Sequence, residues 1–261
     1  MITLQEIARM DTAYLDTFSQ RIDALWGSFF YNEKQPTYYD ANHAHIVNTC
    51  EDPEGIVKEI TQFYQAKSLI PRLYLYQVEV HQKLIATLLE HQYKYEEFSS
   101  PVQLWDNMQL KLPDNPHLTV EPLTDANYEE ALAIECSIRE FGEPDTIKGA
   151  FREHYEHPAF TYYLLRRQGQ PCSTACIFVD GDQARLESVA THPNFRGEGL
   201  IGHLIAFIQQ EVVKRGIRKL WVCPINEEVE KVYQRYGFKT VAKLQTGHAF
   251  LGGKSIAELR A

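Results

Sequence analysis

The chain has 261 residues, 44% hydrophobic and 23% charged, proportions that suit compact cores and exclude a disordered or fibrous protein. Its net charge of −9 divides into 9 Lys/Arg against 16 Asp/Glu over residues 1–117 (−7) and 17 against 19 over 118–261 (−2); with no basic half or basic run to neutralise phosphates, nucleic acid is set aside as principal partner. No apolar run reaches the roughly 20 residues that cross a bilayer, and the start MITLQEIARMD has no basic flank, apolar core or small-residue cleavage site, so a cytoplasmic protein with no membrane partner is expected.

Apolar spacing predicts helices over Leu15–Leu25, Gly55–Tyr64 and Lys83–His91, with a strand over Leu73–Val80, which makes this part a mixed α/β domain. His43 and His45 have no neighbouring Cys or clustered carboxylate, so a metal site is not expected there. The five cysteines are scattered without a CxxC, as reduced thiols would be. Lys111 to His117 then holds two prolines among turn formers, and a domain boundary is placed there, giving domains 1–117 and 118–261. Only Gly27 and Gly55 precede the boundary, whereas twelve glycines follow it; glycine-rich ligand loops can be built only in the second domain.

That domain opens with a strand, Leu118–Pro122, and a helical pattern through Tyr128, Leu132, Ile134, Ile138 and Phe141, closed by Gly142. A second helix is predicted over Asp145–Glu156, stopped by His157-Pro158. Strands over Phe160–Arg166, Cys172–Val179 and Arg185–Thr191, joined by glycine turns, form an antiparallel meander. On the middle strand Cys172 and Cys176 share a face, roughly 13 Å apart, too far to chelate one ion. A long helix follows, with Leu200, Ile201, Leu204, Ile205, Ile208 and Val212 on its apolar stripe and a stop at Gly216. The strand Lys219–Cys223 makes this a parallel crossover. A helix over Glu227–Tyr236, a cap at Gly237 and closing strands end the chain.

Between the meander and the long helix stands Phe195-Arg196-Gly197-Glu198-Gly199. Two glycines at a strand-to-helix turn let successive amides face a ligand, and the helix N-terminus adds partial positive charge. A diphosphate fits such a cradle, and Arg196 can add a charge-assisted bond. Alone the motif is equally consistent with a plain glycine turn.

Its surroundings are more specific. Ser188-Val189-Ala190-Thr191-His192-Pro193 leads into Arg196-x-x-Gly199, and Asn226, Tyr233 and Gly237-Phe238 follow at fixed spacing. Residues 118–251 thereby resemble the GNAT family of N-acetyltransferases. The resemblance implies a mixed, mostly antiparallel sheet flanked by helices, and direct acetyl transfer from acetyl-CoA to a primary amine without a metal. By position, Val189, Ala190 and Thr191 inherit backbone pairing with the pantetheine arm. Arg196 and the loop Gly197, Glu198, Gly199, Leu200, Ile201 and Gly202 inherit the pyrophosphate, and Asn226 a pantetheine contact. Tyr233 is the expected general acid, since a phenol is protonated at neutral pH. Glu187, placed by alternation on the face of Val189 and Thr191, is the expected base. His192 and His203 are read as capping or solvated, and Cys223 as core rather than nucleophile. One position departs from the family pattern: Ile201 stands where a small residue is usual, with Gly202 one place later.

Pro36–His43 and Ile70–Tyr76 loosely resemble a degenerate acetyltransferase-like domain preceding a working one. Lacking a glycine loop, it is expected to bind no coenzyme A and to shape the acceptor cleft or stabilise its partner domain. Two other readings use the same residues: a non-catalytic acyl-CoA-binding or sensing module, and an aminoacyl-tRNA-dependent transferase, which the acidic balance opposes. An oligomer is compatible with all of these readings.

Overall fold

The computed structural model describes residues 4–49, 51–109 and 112–260; Met1–Thr3, Cys50 and Lys111, the first residue of the expected linker, lie outside it. Contacts gather the chain into two compact units, residues 101–242 and residues 4–100 with 243–260. The sequence places its boundary at 117/118; the compact units divide at 100/101 and again at 242/243.

The first unit in chain order contains α1 (Leu4–Leu15), β1 (Gln20–Ala24), β2 (Gly27–Tyr31), β3 (His43–Ile46), α2 (Pro53–Ala66), β4 (Arg72–Tyr76), α3 (Gln82–Glu90) and the start of β5 (Lys94–Trp105). The helix expected over Leu15–Leu25 is absent: α1 ends at Leu15, and residues 20–24 pair antiparallel with β2. Pairing outweighs helical spacing here, because β2 lies so close to β3 that a Cβ on Gly27 would sit 1.9 Å from the His45 carbonyl oxygen. Leu25, counted in the apolar pattern, is 96% exposed at the hairpin tip. The strand expected to reach Val80 stops at Tyr76, where Gln77 turns left-handed at φ 57°. The helix α2 starts on Asp52, whose carboxylate accepts from the Gly55 amide at 3.0 Å. It buries Val57, Ile60 and Tyr64 against Ala44, Leu73 and Leu75 of the sheet. His43 and His45 are buried, and among the described residues no three His, Cys, Asp or Glu side chains group to hold a metal.

The second unit adds β6 (Leu118–Pro122), α4 (Tyr128–Cys136), α5 (Pro144–Glu156), β7 (Phe160–Arg167), β8 (Gln170–Asp180), β9 (Gln183–Thr191), α6 (Leu200–Lys214), β10 (Lys219–Val222) and α7 (Glu227–Gln234). Its strands run in the order β5-β10-β9-β8-β7-β6. The meander β6 to β9 is antiparallel, and β9 and β10 are parallel across α6. The closing strands are one long β11 (Phe238–Phe250), followed by α8 (Ile256–Arg260). The helix expected through Phe141 ends at Cys136: the Ser137 hydroxyl donates to the Ile134 carbonyl at 2.6 Å, and a short 3-10 turn leads to Gly142 at φ 110°. Leu204, Ile205, Ile208 and Val212 of α6 pack on Ala175, Ile177 and Leu186 of the sheet. Cys172 belongs to this same core but Cys176 does not. The expectation of a shared face fails because the β7–β8 register slips at Leu165/Arg166, making Cys172 the extra residue of a bulge. No helix among the described residues is long and apolar enough to cross a membrane.

Candidate active site

The strand β9 carries the decisive irregularity. Thr174 of β8 pairs with Ala190 and Cys176 with Glu187, so Ser188 and Val189 together oppose the single residue Ala175. This is a β-bulge, and Ser188 takes up its strain at φ 46°, a region costly for an L-residue with a side chain. The extra residue reverses the alternation. Thr191 pairs with Ser173, and Glu187 with Cys176; three residues apart on a regular strand, Ser173 and Cys176 face opposite ways. Glu187 is therefore not on the face of Thr191, as simple alternation predicts.

The same strand also parts from its other neighbour. Pairing of β9 with β10 ends at Leu186 and Val222, while β9 runs on to Thr191. From Ser188 to Ala190 its β10-facing edge has no ladder partner among the described residues. Backbone donors and acceptors are thus presented in a row to an extended ligand.

Past Thr191 the chain enters the glycine loop. His192 caps a short 3-10 turn, its Nδ1 accepting from the Asn194 amide at 3.3 Å, and Arg196 Nε donates to the Thr191 carbonyl at 3.2 Å. Gly197 at φ 82° and Gly199 at φ 71° are left-handed, as their residue type permits. The first bond into α6 runs from the Gly202 amide to the Gly199 carbonyl. Among the described residues the amides of Gly197, Glu198, Gly199, Leu200 and Ile201 donate to no protein acceptor. They line the N-terminus of a 15-residue helix, an arrangement that favours an anion. Glu198 is held aside in an ion pair with Arg167 of β7. Ile201 is half-buried and packs on the α6 core. Gly202 is small for a separate reason: a Cβ there would meet the Tyr236 ring at 2.3–2.5 Å.

Beyond the end of β10, Cys223 is exposed, contrary to the expectation of a core thiol. The reason is that β10 stops one residue earlier and releases the chain from the sheet. Asn226 caps α7, its Oδ1 accepting from the Val229 amide at 2.9 Å. Tyr233, on the inner face of α7, is 4% exposed and packs edge-on to Phe238. Its hydroxyl forms no hydrogen bond among the described residues. Burial, reinforced by the nearby charges of Glu187 and Cys223, pushes the phenol well above its ordinary range. Glu187 is half-buried and ion-paired with Arg185 of the same strand.

Three features that spacing did not single out also converge on this region: the bulge at Ser188, the Arg167–Glu198 pair and the buried Glu135. A signal for the last was present, since Glu135 adds a carboxyl to the buried stripe of α4 beside Ala131 and Ile134.

Comparison with known proteins fits this geometry. The profile of the acetyltransferase (GNAT) family matches residues 128–238. No curated protein matches the chain significantly. Among solved structures, a GCN5-related N-acetyltransferase from Kribbella flavida aligns with TM-score 0.72 at 19% identity, covering 99% of both chains. A functionally unknown conserved protein from Staphylococcus epidermidis aligns with TM-score 0.74 at 14% identity, over 95% of this chain and 97% of that one. A GCN5-related N-acetyltransferase-like protein from Streptococcus suis aligns with TM-score 0.58 at 13% identity, over 95% and 98%. At these identities the likeness is one of fold. With the bulged and parted β9, the glycine cradle at α6 and the matched segment all in one unit, residues 128–238 form an acetyltransferase domain of the GNAT family.

Proposed function

We propose that this protein transfers the acetyl group of acetyl-CoA directly to a primary amine of a small molecule or peptide. The observation that carries the reading is the alignment, along one strand and the helix after it, of a free β9 edge and a row of undonated amides. The spacing suits an extended arm ending in a diphosphate. In this reading Val189, Ala190 and Thr191 pair with the pantetheine arm. Arg196 and the loop Gly197, Glu198, Gly199, Leu200, Ile201 and Gly202 surround the pyrophosphate. Asn226 offers its side-chain amide nitrogen to pantetheine, since its oxygen is engaged as a cap.

Attack on the thioester requires an uncharged amine, and departure of the thiolate requires a proton. Tyr233 supplies that proton: its buried phenol is neutral throughout the physiological range, and its hydroxyl is committed to no other partner among the described residues. Glu187 receives the amine's proton through water, its carboxylate oriented by the pair with Arg185. The portion before residue 118 is read as a degenerate acetyltransferase-like domain with no coenzyme A site of its own.

The test is a thermal shift with acetyl-CoA followed by thioester cleavage across a panel of primary amines. Stabilisation with turnover supports the transferase. Stabilisation without turnover on any amine supports a binding module, and absence of both removes the reading.

A further inference from the structure

The buried carboxyl of Glu135 belongs to no part of the mechanism above, yet its hydrogen-bond partner, Thr174, stands beside the bulge. It projects from α4 and is 2% exposed. The Thr174 hydroxyl of β8 donates to its Oε1 at 2.6 Å. Thr174 pairs with Ala190 on one side of the bulge, and Cys176, two residues on, pairs with Glu187 on the other. Tyr162 of β7 stands opposite Cys176, with His154 Nδ1 of α5 3.3 Å from its hydroxyl. Side chains from α4, α5, β7 and β8 thus meet behind the stretch of β9 that carries the bulge, where Ser188 is held at φ 46°. We infer that Glu135 is a positioning residue for the transfer site: through its bond with Thr174 it holds the β9 bulge that aims Glu187 and frees the edge of Ser188–Ala190.

The surroundings require the neutral form. The titratable groups around it are Tyr162, Cys176, His154 and the neighbouring Cys136, with the Arg185–Glu187 ion pair beyond Cys176. No cation pairs with Glu135 among the described residues. Burial pushes its pKa up to about 8, with the Thr174 bond opposing. Burial likewise raises Tyr162 and Cys176, each raised further by a charge on Glu135, and keeps His154 neutral by lowering it to about 3. Ionisation of Glu135 would set an uncompensated charge among groups that cannot answer it. The strained bulge is the part able to move.

The inference rests on the transferase reading only for its kinetic consequence, so two measurements are made on the full-length protein. In the first, the backbone amide resonances of Ser188, Val189 and Ala190 are followed by NMR from about pH 6.5 to 9.5. They should shift together with one midpoint near that of Glu135 in the wild type, and lose that transition in Glu135→Gln, which keeps shape and acceptor without a charge. In the second, kcat should fall above the same midpoint in the wild type and stay level in Glu135→Gln. Glu135→Ala, which strands the Thr174 hydroxyl, should lower kcat about tenfold at every pH with KM for acetyl-CoA little changed. Amides that do not titrate, or a transition that persists in Glu135→Gln, overturn the inference. Titrating amides in a protein that acetylates no amine uphold the positioning role and refute the transferase reading instead.

Discussion

Replacing Glu135 by glutamine should stabilise the protein, and more so as pH rises. The folded carboxyl has a pKa raised from 4.5 to about 8 by burial, while the unfolded chain releases its proton near the ordinary value. Between those two pH values the unfolded state binds fewer protons than the folded state. Stability attributable to this group therefore falls as pH rises through that window and levels off once the folded carboxyl also ionises. A shift of this size at about 1.4 kcal/mol per pH unit corresponds to roughly 5 kcal/mol as an upper bound, since water entry and local relaxation reduce it. The assay is urea unfolding of wild type and Glu135→Gln at steps from pH 5 to 8.5, in a Trp26→Phe background. Fluorescence then reports Trp105 and Trp221, both in the 101–242 unit. The stability difference should grow across the window and flatten near pH 8. A difference independent of pH would mean that Glu135 is ionised in the fold, and the argument for a neutral support of the bulge would collapse with it.

Tyr233→Phe should lower kcat about 10²- to 10⁴-fold while leaving thermal stability near wild type, because the ring keeps its edge-on contact with Phe238; steady-state kinetics that show unchanged turnover would remove the phenol from the mechanism. Gly202→Ala should destabilise by about 1–3 kcal/mol, since its Cβ would meet Tyr236, and a double-mutant cycle with Tyr236→Ala should recover most of the loss in chemical denaturation. Arg167→Ala leaves Glu198 uncompensated beside the amide cradle and should weaken acetyl-CoA binding severalfold in calorimetry at low salt, with Glu198→Gln restoring it. In the other unit, burial lowers His45 from 6.5 to about 4. Acidification through that window loads protons on the unfolded chain first, so the unit loses stability from about pH 6.5 down to 4. His45→Phe should recover up to roughly 3 kcal/mol at the acid end, as read from urea midpoints.

How far the chain itself discloses this site depends on the range of the interaction involved. The glycine turn, the apolar stripe of α6 and the start of α7 at Glu227 are local: each follows from residue type and spacing over one or two turns of chain, and each stands where the sequence puts it. The parallel crossover from β9 to β10 is equally legible, because a strand, an amphipathic helix and a strand at that spacing have few ways to pack. Alternation along β9 misplaced Glu187 because a bulge is invisible to a period-two pattern; only the register against β8 shows that two residues oppose one. Residues 20–24 became a strand rather than a helix because the pairing partner and the close approach at Gly27 lie outside any local window. Glu135 needed both kinds of information. Its place on the buried stripe of α4 is written in the helical repeat, but its proton affinity depends on burial by the sheet and on Thr174 brought from β8. Sequence alone thus determined most elements of the second unit, the glycine cradle and the family of the domain, which rest on short-range spacing. Tertiary structure decided which way β9 presents its residues and which carboxyl is buried uncharged beside them, because register and desolvation arise only when distant segments meet.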